Sequence, residues 1–183
     1  MFKEPEHIDK LIEGCGKDDR KAQEELYRSF YSSMMVLCLR YTKNEADAKA
    51  VLNGGFFKVF RNIQKYNPQK ATLYTWIRTI MINACIDYIK SKDDIIIAGE
   101  LNKVEALHIE PEASAKMKAE EILQLIRELP SATRAVFNLF TLEGYGHKEI
   151  SGILKISEGT SKWHLSEARK ILKMQIQRRT QSE

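Results

Sequence analysis

The sequence predicts an all-α protein made of two small helical domains joined by a linker, with a helix-turn-helix in the C-terminal domain. Three observations support this fold class. Apolar residues recur at intervals of three and four, and period-two alternation is not sustained anywhere. Asn67-Pro68 and Pro130 divide the pattern into short segments, because the residue before a proline avoids the helical region. The 183 residues, of which 43% are hydrophobic, suffice for one medium domain or two small ones.

Four helices are predicted in an N-terminal domain that spans residues 1–91. The first is short, and the glycines at positions 14 and 16, Gly14 and Gly16, are expected to terminate it. The second places Leu26, Phe30 and Leu37 on one face, as expected for a helix that covers a core. The predicted helices cover residues 8–12, 18–41, 45–66 and 72–90.

Residues 92–113 are predicted to form a linker, because they show no clear periodicity and contain Gly99 and Pro111. The C-terminal domain then covers residues 114–183. Pro130 stands where a helix can begin, and Gly144 stands where that helix can end. The predicted helices of this domain cover residues 115–128, 131–143, 147–154 and 157–178.

Charge alternates along the chain, although the formal net charge is only +4. Residues 1–47 carry −2, residues 48–92 carry +7, residues 93–128 carry −5 and residues 129–183 carry +4. Two basic blocks on either side of an acidic connector suggest two surfaces that bind a polyanion. The alternative is that these lysines and arginines only solvate helix faces.

The segment from Glu143 to Arg169 has the plan of a helix-turn-helix, with a short helix, a tight connection and a longer helix. Ser157 is a suitable N-cap for the longer helix. In this motif the first turns of the second helix enter the major groove, and basic side chains further along contact phosphates. The predicted DNA-binding residues here are Ser157, Thr160, Ser161, Lys162, Trp163, His164, Arg169, Lys170 and Lys173. The alternative is a packed helical hairpin that binds no nucleic acid, with Trp163 as a packing residue.

The basic block at residues 48–92 interleaves cationic and aromatic side chains, a combination that suits single-stranded DNA. Asn83, with Asn62 or Asn67, could donate hydrogen bonds to the edge of an unpaired base. The predicted DNA contacts of this block are Arg61, Lys65, Lys70, Arg78 and Asn83. For Phe56, Phe60 and Trp76, packing in the core is the favoured alternative.

Several linked segments resemble a known family. LPSATRAVFNL at 129–139, EGYGHKEI at 143–150, ISEGTSK at 156–162 and AR at 168–169 resemble domain four of bacterial RNA polymerase sigma factors of the extracytoplasmic-function group, in the sigma-70 family. AQEELYRSFY at 22–31, FFKVFRNI at 56–63 and TWIRTIMINACIDYI at 75–89 resemble its domain two.

The resemblance implies a factor that directs RNA polymerase to promoters and assists initiation. Domain two would bind core polymerase and the minus-ten element, and domain four would hold the minus-thirty-five element. The implied partners are core RNA polymerase, promoter DNA and an anti-sigma factor. The implied polymerase-binding residues are Asp47, Asn53, Phe56, Phe57 and Phe60.

The stretch from Lys49 to Gly55 departs from the family pattern, in which an acidic run is common. Gly54 and Gly55 within a helix would each cost about 1 kcal/mol relative to alanine. This departure leaves open an alternative function, a helix-turn-helix transcription regulator that does not bind core polymerase.

An enzyme is not expected, because the sequence has no Gly-rich phosphate loop and no HExxH motif. No cofactor and no metal site are predicted, since the four histidines are scattered and the three cysteines lack a C-x-x-C pair. The cysteines fit free thiols in a reducing cytoplasm. No apolar run approaches the roughly 18 residues of a membrane span, so a cytoplasmic protein without membrane insertion is expected.

Overall fold

The computed structural model describes residues 7–92 and 119–180. These two ranges contain helices, turns and loops and no strand, which confirms the all-α prediction. The chain divides into two compact units, Met1–Tyr88 and Ile89–Glu183. The predicted linker falls almost entirely on residues 93–118, which lie outside the described residues. The boundaries at 91 and 114 therefore stay predictions.

The first unit is a bundle built on four α-helices. They are α1 (Ile8–Gly16), α2 (Arg20–Tyr41), α3 (Glu45–Asn62), which continues into a 3₁₀ turn at Ile63–Lys65, and α4 (Leu73–Lys92), of which residues 73–88 belong to this unit. Asp19 caps α2 and Asn44 caps α3, each accepting a hydrogen bond from a backbone N–H of the first turn. The predicted helix at 45–66 thus ends its α-helical part four residues earlier, in a tighter turn.

The core of this unit lies between α2, α3 and α4. Leu26, Phe30 and Met34 of α2 are completely buried, as are Leu73 and Ile77 of α4. Their spacing of three and four residues is the spacing that predicted the helices. The bundle therefore rests on burial of apolar side chains, which contributes about 25 cal/mol for each Å² removed from water.

Cys38 of α2 and Cys85 of α4 are buried side by side, with their sulfur atoms 4.0 Å apart. Cys15 of α1 is buried as well, and burial raises the pKa of its thiol to about 11. All three cysteines are free thiols. They act as small core residues, as the sequence suggests.

The second unit consists of α5 (Ala119–Glu128), α6 (Ser131–Phe137), α7 (His147–Leu154) and α8 (Glu158–Thr180). The last turn after α6, Asn138–Leu142, is π-helical. The predicted helix at 131–143 therefore keeps its length but changes its winding before Gly144, whose φ of 79° ends it. The predicted bounds of α7 agree with the structure.

Within the described ranges, no helix is both long enough and apolar enough to cross a membrane.

Candidate nucleic-acid interface

A three-residue connection, Lys155 to Ser157, joins α7 to α8 and fixes how α8 is presented. Gly146 precedes α7, and its N–H donates to the Glu149 carboxylate at 2.8 Å. α7 ends at Leu154, and its C-cap Lys155 adopts the left-handed conformation with a φ of 57° and a ψ of 45°. α8 then begins after Ser157, whose hydroxyl accepts a hydrogen bond from the Thr160 N–H at 2.9 Å. Ser157 is therefore the N-cap, as predicted from the sequence.

The inner face of this helix pair is buried. Ile150 and Leu154 of α7 and Leu165 and Ala168 of α8 have almost no exposed surface. α8 also packs on α6, so it is held on two sides. The first three turns of α8 are consequently a rigid element with one face left for solvent.

Two of the predicted DNA-binding residues point into the protein instead. Ser161 is completely buried, and its hydroxyl lies 2.9 Å from Nδ1 of His147. His164 is 5% exposed, and its Nδ1 lies 3.0 Å from the Thr133 hydroxyl of α6. The prediction that these two side chains contact DNA is therefore wrong for this fold. They position α8 against α6 and α7, because each forms a polar contact between helices inside the unit.

Thr160 and Trp163 occupy intermediate positions. Thr160 is half-buried, and its hydroxyl lies 2.8 Å from that of Ser157, so the two hydroxyls partly satisfy each other. The Trp163 ring is half-buried and stands edge-on to His164, with centroids 4.8 Å apart. Trp163 thus packs along α8, which agrees with the alternative weighed from the sequence.

The outer face of α8 is a cationic stripe, formed by exposed side chains spaced along about three turns. The stripe consists of Lys162, Arg169, Lys170 and Lys173. Such a row of cations attracts the phosphates of a DNA backbone. All four predicted contacts are therefore exposed to solvent, and their contact with DNA stays a prediction.

In the first unit an open groove of about 320 Å³ lies between α3 and α4. Its lining combines two lysines, two asparagine amides, one indole ring and one aliphatic side chain: Lys58, Asn62, Lys65, Trp76, Ile80 and Asn83. An aromatic surface with amides and cations around it can stack and hydrogen-bond an unpaired base. The predicted residues Lys65 and Asn83 meet here.

Two groove residues were not predicted as DNA contacts from the sequence. Lys58 was not singled out, and packing in the core was the favoured alternative for Trp76. Lys58 donates to the Asp87 carboxylate at 2.8 Å, which links α3 to α4 beside the groove. Trp76 is half-buried and contacts Tyr66 at 5.6 Å between centroids. The +7 charge and the aromatic content of residues 48–92 indicated such a site. Which side chains line it depends on how α3 packs on α4.

Other residues predicted to bind the unpaired strand lie outside this groove lining. Arg61 is exposed, and its guanidinium lies over the Phe57 ring at 5.6 Å. Asn67 uses its side-chain oxygen to accept from the Gln69 N–H at 2.9 Å, which closes a turn. Lys70 is exposed and Arg78 is half-buried.

The predicted polymerase-binding set divides by burial. Phe56 is only 1% exposed and packs on Tyr27 and Phe60, so the prediction that it contacts a partner is wrong and its role is in the core. Phe57, in contrast, is 61% exposed. Phe60 is half-buried, and its surface is shared with the core.

The two polar members of the same set already have intramolecular partners. Asp47 accepts from the Asn44 side chain at 2.7 Å and thereby completes the N-cap of α3. Asn53 is exposed and accepts from the Tyr27 hydroxyl at 2.9 Å. An outward-facing patch remains in this region, made by Asn53 and Phe57.

Two family models match the chain, and together they cover more than half of it. Residues 26–95 match the model described as Sigma-70 region 2, and residues 119–172 match the model described as Sigma-70, region 4. The first match contains the groove between α3 and α4, and the second contains α7 and most of α8.

Curated relatives match along most of the chain. The RNA polymerase sigma-H factor of Pseudomonas aeruginosa is 23% identical, over 94% of this chain and 95% of the relative. The ECF RNA polymerase sigma factor SigM of Bacillus subtilis is 28% identical, over 82% of this chain and 92% of the relative.

A solved structure shares the fold. It is the sigma factor RpoE of Bartonella quintana, in complex with the anti-sigma factor NepR. The TM-score is 0.51 at 14% identity, and the match covers 82% of this chain and 94% of that chain.

Proposed function

This chain belongs to the sigma-70 family, as an RNA polymerase sigma factor of the extracytoplasmic-function group, and we propose which promoter element each of its two units binds. α8 holds duplex DNA at the minus-thirty-five element through the cationic stripe. The groove between α3 and α4 takes an unpaired base of the minus-ten element. The observation that carries the proposal is the separation of α8 into a buried inner face and a cationic outer face.

The stripe supplies affinity by electrostatics. Each lysine or arginine that neutralises a phosphate releases a condensed counterion, so binding weakens as salt rises. Lys162 stands nearest the N-terminal end of α8, the end that enters the groove in helix-turn-helix proteins. We infer that Lys162 reaches base edges and that Arg169, Lys170 and Lys173 contact the backbone.

The groove supplies the chemistry of strand separation. A base that leaves the duplex loses its stacking partner, and the Trp76 indole offers another. Asn83 is exposed at the groove wall and has both a donor and an acceptor for a base edge. Lys58 and Lys65 are placed to hold the adjoining phosphates. The factor itself needs no catalytic step for this work, because it binds and positions DNA for the polymerase in the cytoplasm.

The polymerase contact is assigned to the outward patch on α3. Phe57 exposes a large apolar ring there, and Asn53 lies one turn before it on the same helix. Aromatic side chains at the centre of an interface often carry much of the binding energy. An anti-sigma factor that covered this patch would compete with polymerase, and we propose such a protein as a further partner.

Initiation by purified core polymerase tests the function directly. Bacterial core RNA polymerase, a library of genomic fragments from the source bacterium and the full chain are combined, and transcripts are sequenced from their 5′ ends. We expect transcripts that start at a limited set of sites and depend on the chain. Absence of chain-dependent starts at every salt concentration would contradict the function.

A pull-down with the same core polymerase separates the two functions weighed from the sequence. Stable association is expected for the sigma factor, and a regulator acting without polymerase would bind promoter fragments alone. Lys21→Ala serves as a control variant, since Lys21 is an exposed lysine of α2 outside both predicted contact sets.

A further inference from the structure

His147 is the first residue of α7, and its imidazole is held on two sides. Nδ1 lies 2.9 Å from the buried Ser161 hydroxyl of α8. The ring stacks on Phe140, with centroids 4.6 Å apart and an interplanar angle of 25°. The side chain is half-buried, so the ring can meet both the protein interior and solvent at the surface of the unit. Its position relative to α8 is therefore fixed by packing.

The charged groups around this imidazole are mostly the predicted DNA contacts. Burial lowers the pKa of His147, and the positive charges of Lys162 and Arg169 of α8 lower it further. Glu158, also of α8, acts in the opposite direction.

Ionisable side chains also stand on the other elements beside His147, and Glu143 directly follows the π-helical turn. The π-helical turn Asn138–Leu142, which carries Phe140, has no ionisable side chain. On α7 itself, Lys148 and Glu149 follow His147, and the Glu149 carboxylate accepts from the Gly146 N–H. In the free protein the neutral imidazole is thus the favoured form at neutral pH.

DNA bound on the cationic stripe changes this balance. Phosphates beside Lys162 and Arg169 offset the repulsion that these cations exert on a protonated imidazole. The Ser161 hydroxyl oxygen can accept a hydrogen bond from the protonated Nδ1, so the charged ring keeps its contact with α8. Any ligand that favours protonation of a group binds more tightly when that group is already protonated, because the linkage is reciprocal.

We propose that His147 is a proton-linked residue of the DNA-binding surface: binding of duplex DNA to the stripe is accompanied by protonation of the His147 imidazole, and DNA affinity increases as the pH falls. This inference rests on the proposed contact between α8 and duplex DNA. It adds a residue of α7 that the sequence reasoning did not assign to DNA binding.

Fluorescence anisotropy with a short, fluorescein-labelled duplex of mixed sequence tests the proposal at constant ionic strength. One linked proton permits at most about a tenfold change in the association constant for each pH unit. We therefore expect the full chain to bind roughly three- to tenfold more tightly at about pH 6.0 than at about pH 7.5. His147→Gln keeps a polar side chain beside Ser161 but cannot titrate, so its affinity should vary little over this range.

His7→Gln is the matched control, because His7 is exposed in the first unit and its loss should leave the pH dependence unchanged. A second readout needs no variant of His147: the NMR titration of its ring proton in the wild-type chain, without and with the duplex. The midpoint should rise when DNA is bound.

The possible outcomes distinguish the role of His147 from the binding of duplex DNA by α8. Binding whose pH dependence is equal in wild type and His147→Gln, or a midpoint that DNA does not raise, overturns the role of His147 alone. Absence of duplex binding by wild type at every pH overturns the proposed function of α8 together with the inference.

Discussion

Gly55 of α3 lies directly against Met81 of α4: a β-carbon added at Gly55 would come within 2.8 Å of the Met81 methyl carbon. Both residues are buried, and Met81 is completely so. The two adjacent glycines of α3, both unfavourable for a helix by propensity, therefore have different surroundings. Gly55 allows α3 to approach α4 closely, whereas Gly54 is exposed and has no neighbouring atom within 4 Å of an added β-carbon.

Substitution of these adjacent glycines should have different effects on stability. Gly54→Ala should raise the free energy of unfolding by about 1 kcal/mol, because alanine is the better helix former. Gly55→Ala gains the same helix propensity but must displace the completely buried end of the Met81 side chain, so it should be less stable than Gly54→Ala by roughly 1–3 kcal/mol. Urea unfolding monitored by Trp76 fluorescence, in a Trp163→Phe background, measures both. Equal effects at the two positions would contradict the close approach.

Lys155 holds a left-handed conformation that glycine adopts more readily, so Lys155→Gly should stabilise the second unit by about 1 kcal/mol. Thermal unfolding monitored by Trp163 in a Trp76→Phe background is the measurement. Lys148→Gly, within α7, provides the control and should be destabilising by a similar amount. A loss of stability in Lys155→Gly would show that the lysine side chain has a structural role.

The second unit should lose stability in mild acid because of His164. Burial lowers its pKa in the folded chain, while the unfolded chain protonates near its ordinary value of about 6.5. The unfolded state therefore binds more protons below that value, and the free energy of unfolding falls as the pH decreases through it. The midpoint of thermal unfolding, measured between about pH 7.5 and 5.0, should decrease less in His164→Gln than in wild type. Identical slopes would place the acid sensitivity elsewhere.

Lys173→Ala should weaken duplex binding about equally for all sequences and reduce the slope of log K against log salt by about one, whereas Lys162→Ala should weaken binding most for the preferred sequence. The two variants should differ in sequence dependence, since Lys162 is assigned to base edges and Lys173 to phosphate. Binding of several duplexes over a salt series distinguishes them, with Lys21→Ala as the charge-matched control. A salt slope that Lys173→Ala does not change would remove Lys173 from the interface, and a sequence preference that Lys162→Ala does not change would remove Lys162 from the base edges.

Phe57→Ala should weaken association with core polymerase by roughly tenfold or more, because the exposed ring is proposed as an anchor. Its effect on stability should be small. Phe56→Ala should behave in the opposite sense, with a loss of about 3–5 kcal/mol of stability, since its ring is buried. Polymerase pull-down and urea unfolding of the same samples test the pair; normal polymerase binding by a folded Phe57→Ala chain rules out the patch.

Periodicity and capping residues predicted the helices well because those signals are local. Ser157 and Gly146 mark the starts of α8 and α7, and both starts agree with the structure. The π-helical turn at Asn138–Leu142 has no comparable signal in the sequence. It keeps the apolar pattern and changes only the winding.

The site was harder to predict because its residues depend on packing between helices. Ser161 and His164 are polar, so their burial becomes understandable only when His147 and Thr133 are found beside them. Likewise, Lys58 of α3 and Trp76 of α4 line one groove because the two helices pack side by side. The residue pattern of one helix does not predict which side chains of another helix will contact it.

The division of α8 into two faces has an evolutionary and practical consequence. Residues that hold the helix in place, such as Leu165 and Ala168, are different from those that meet solvent, such as Lys162 and Lys170. The outward side chains can therefore be exchanged in combination while the scaffold keeps its shape. A library restricted to those outward positions offers a route to retarget the chain to new promoters, and descendants of one gene can diversify their regulons along the same route.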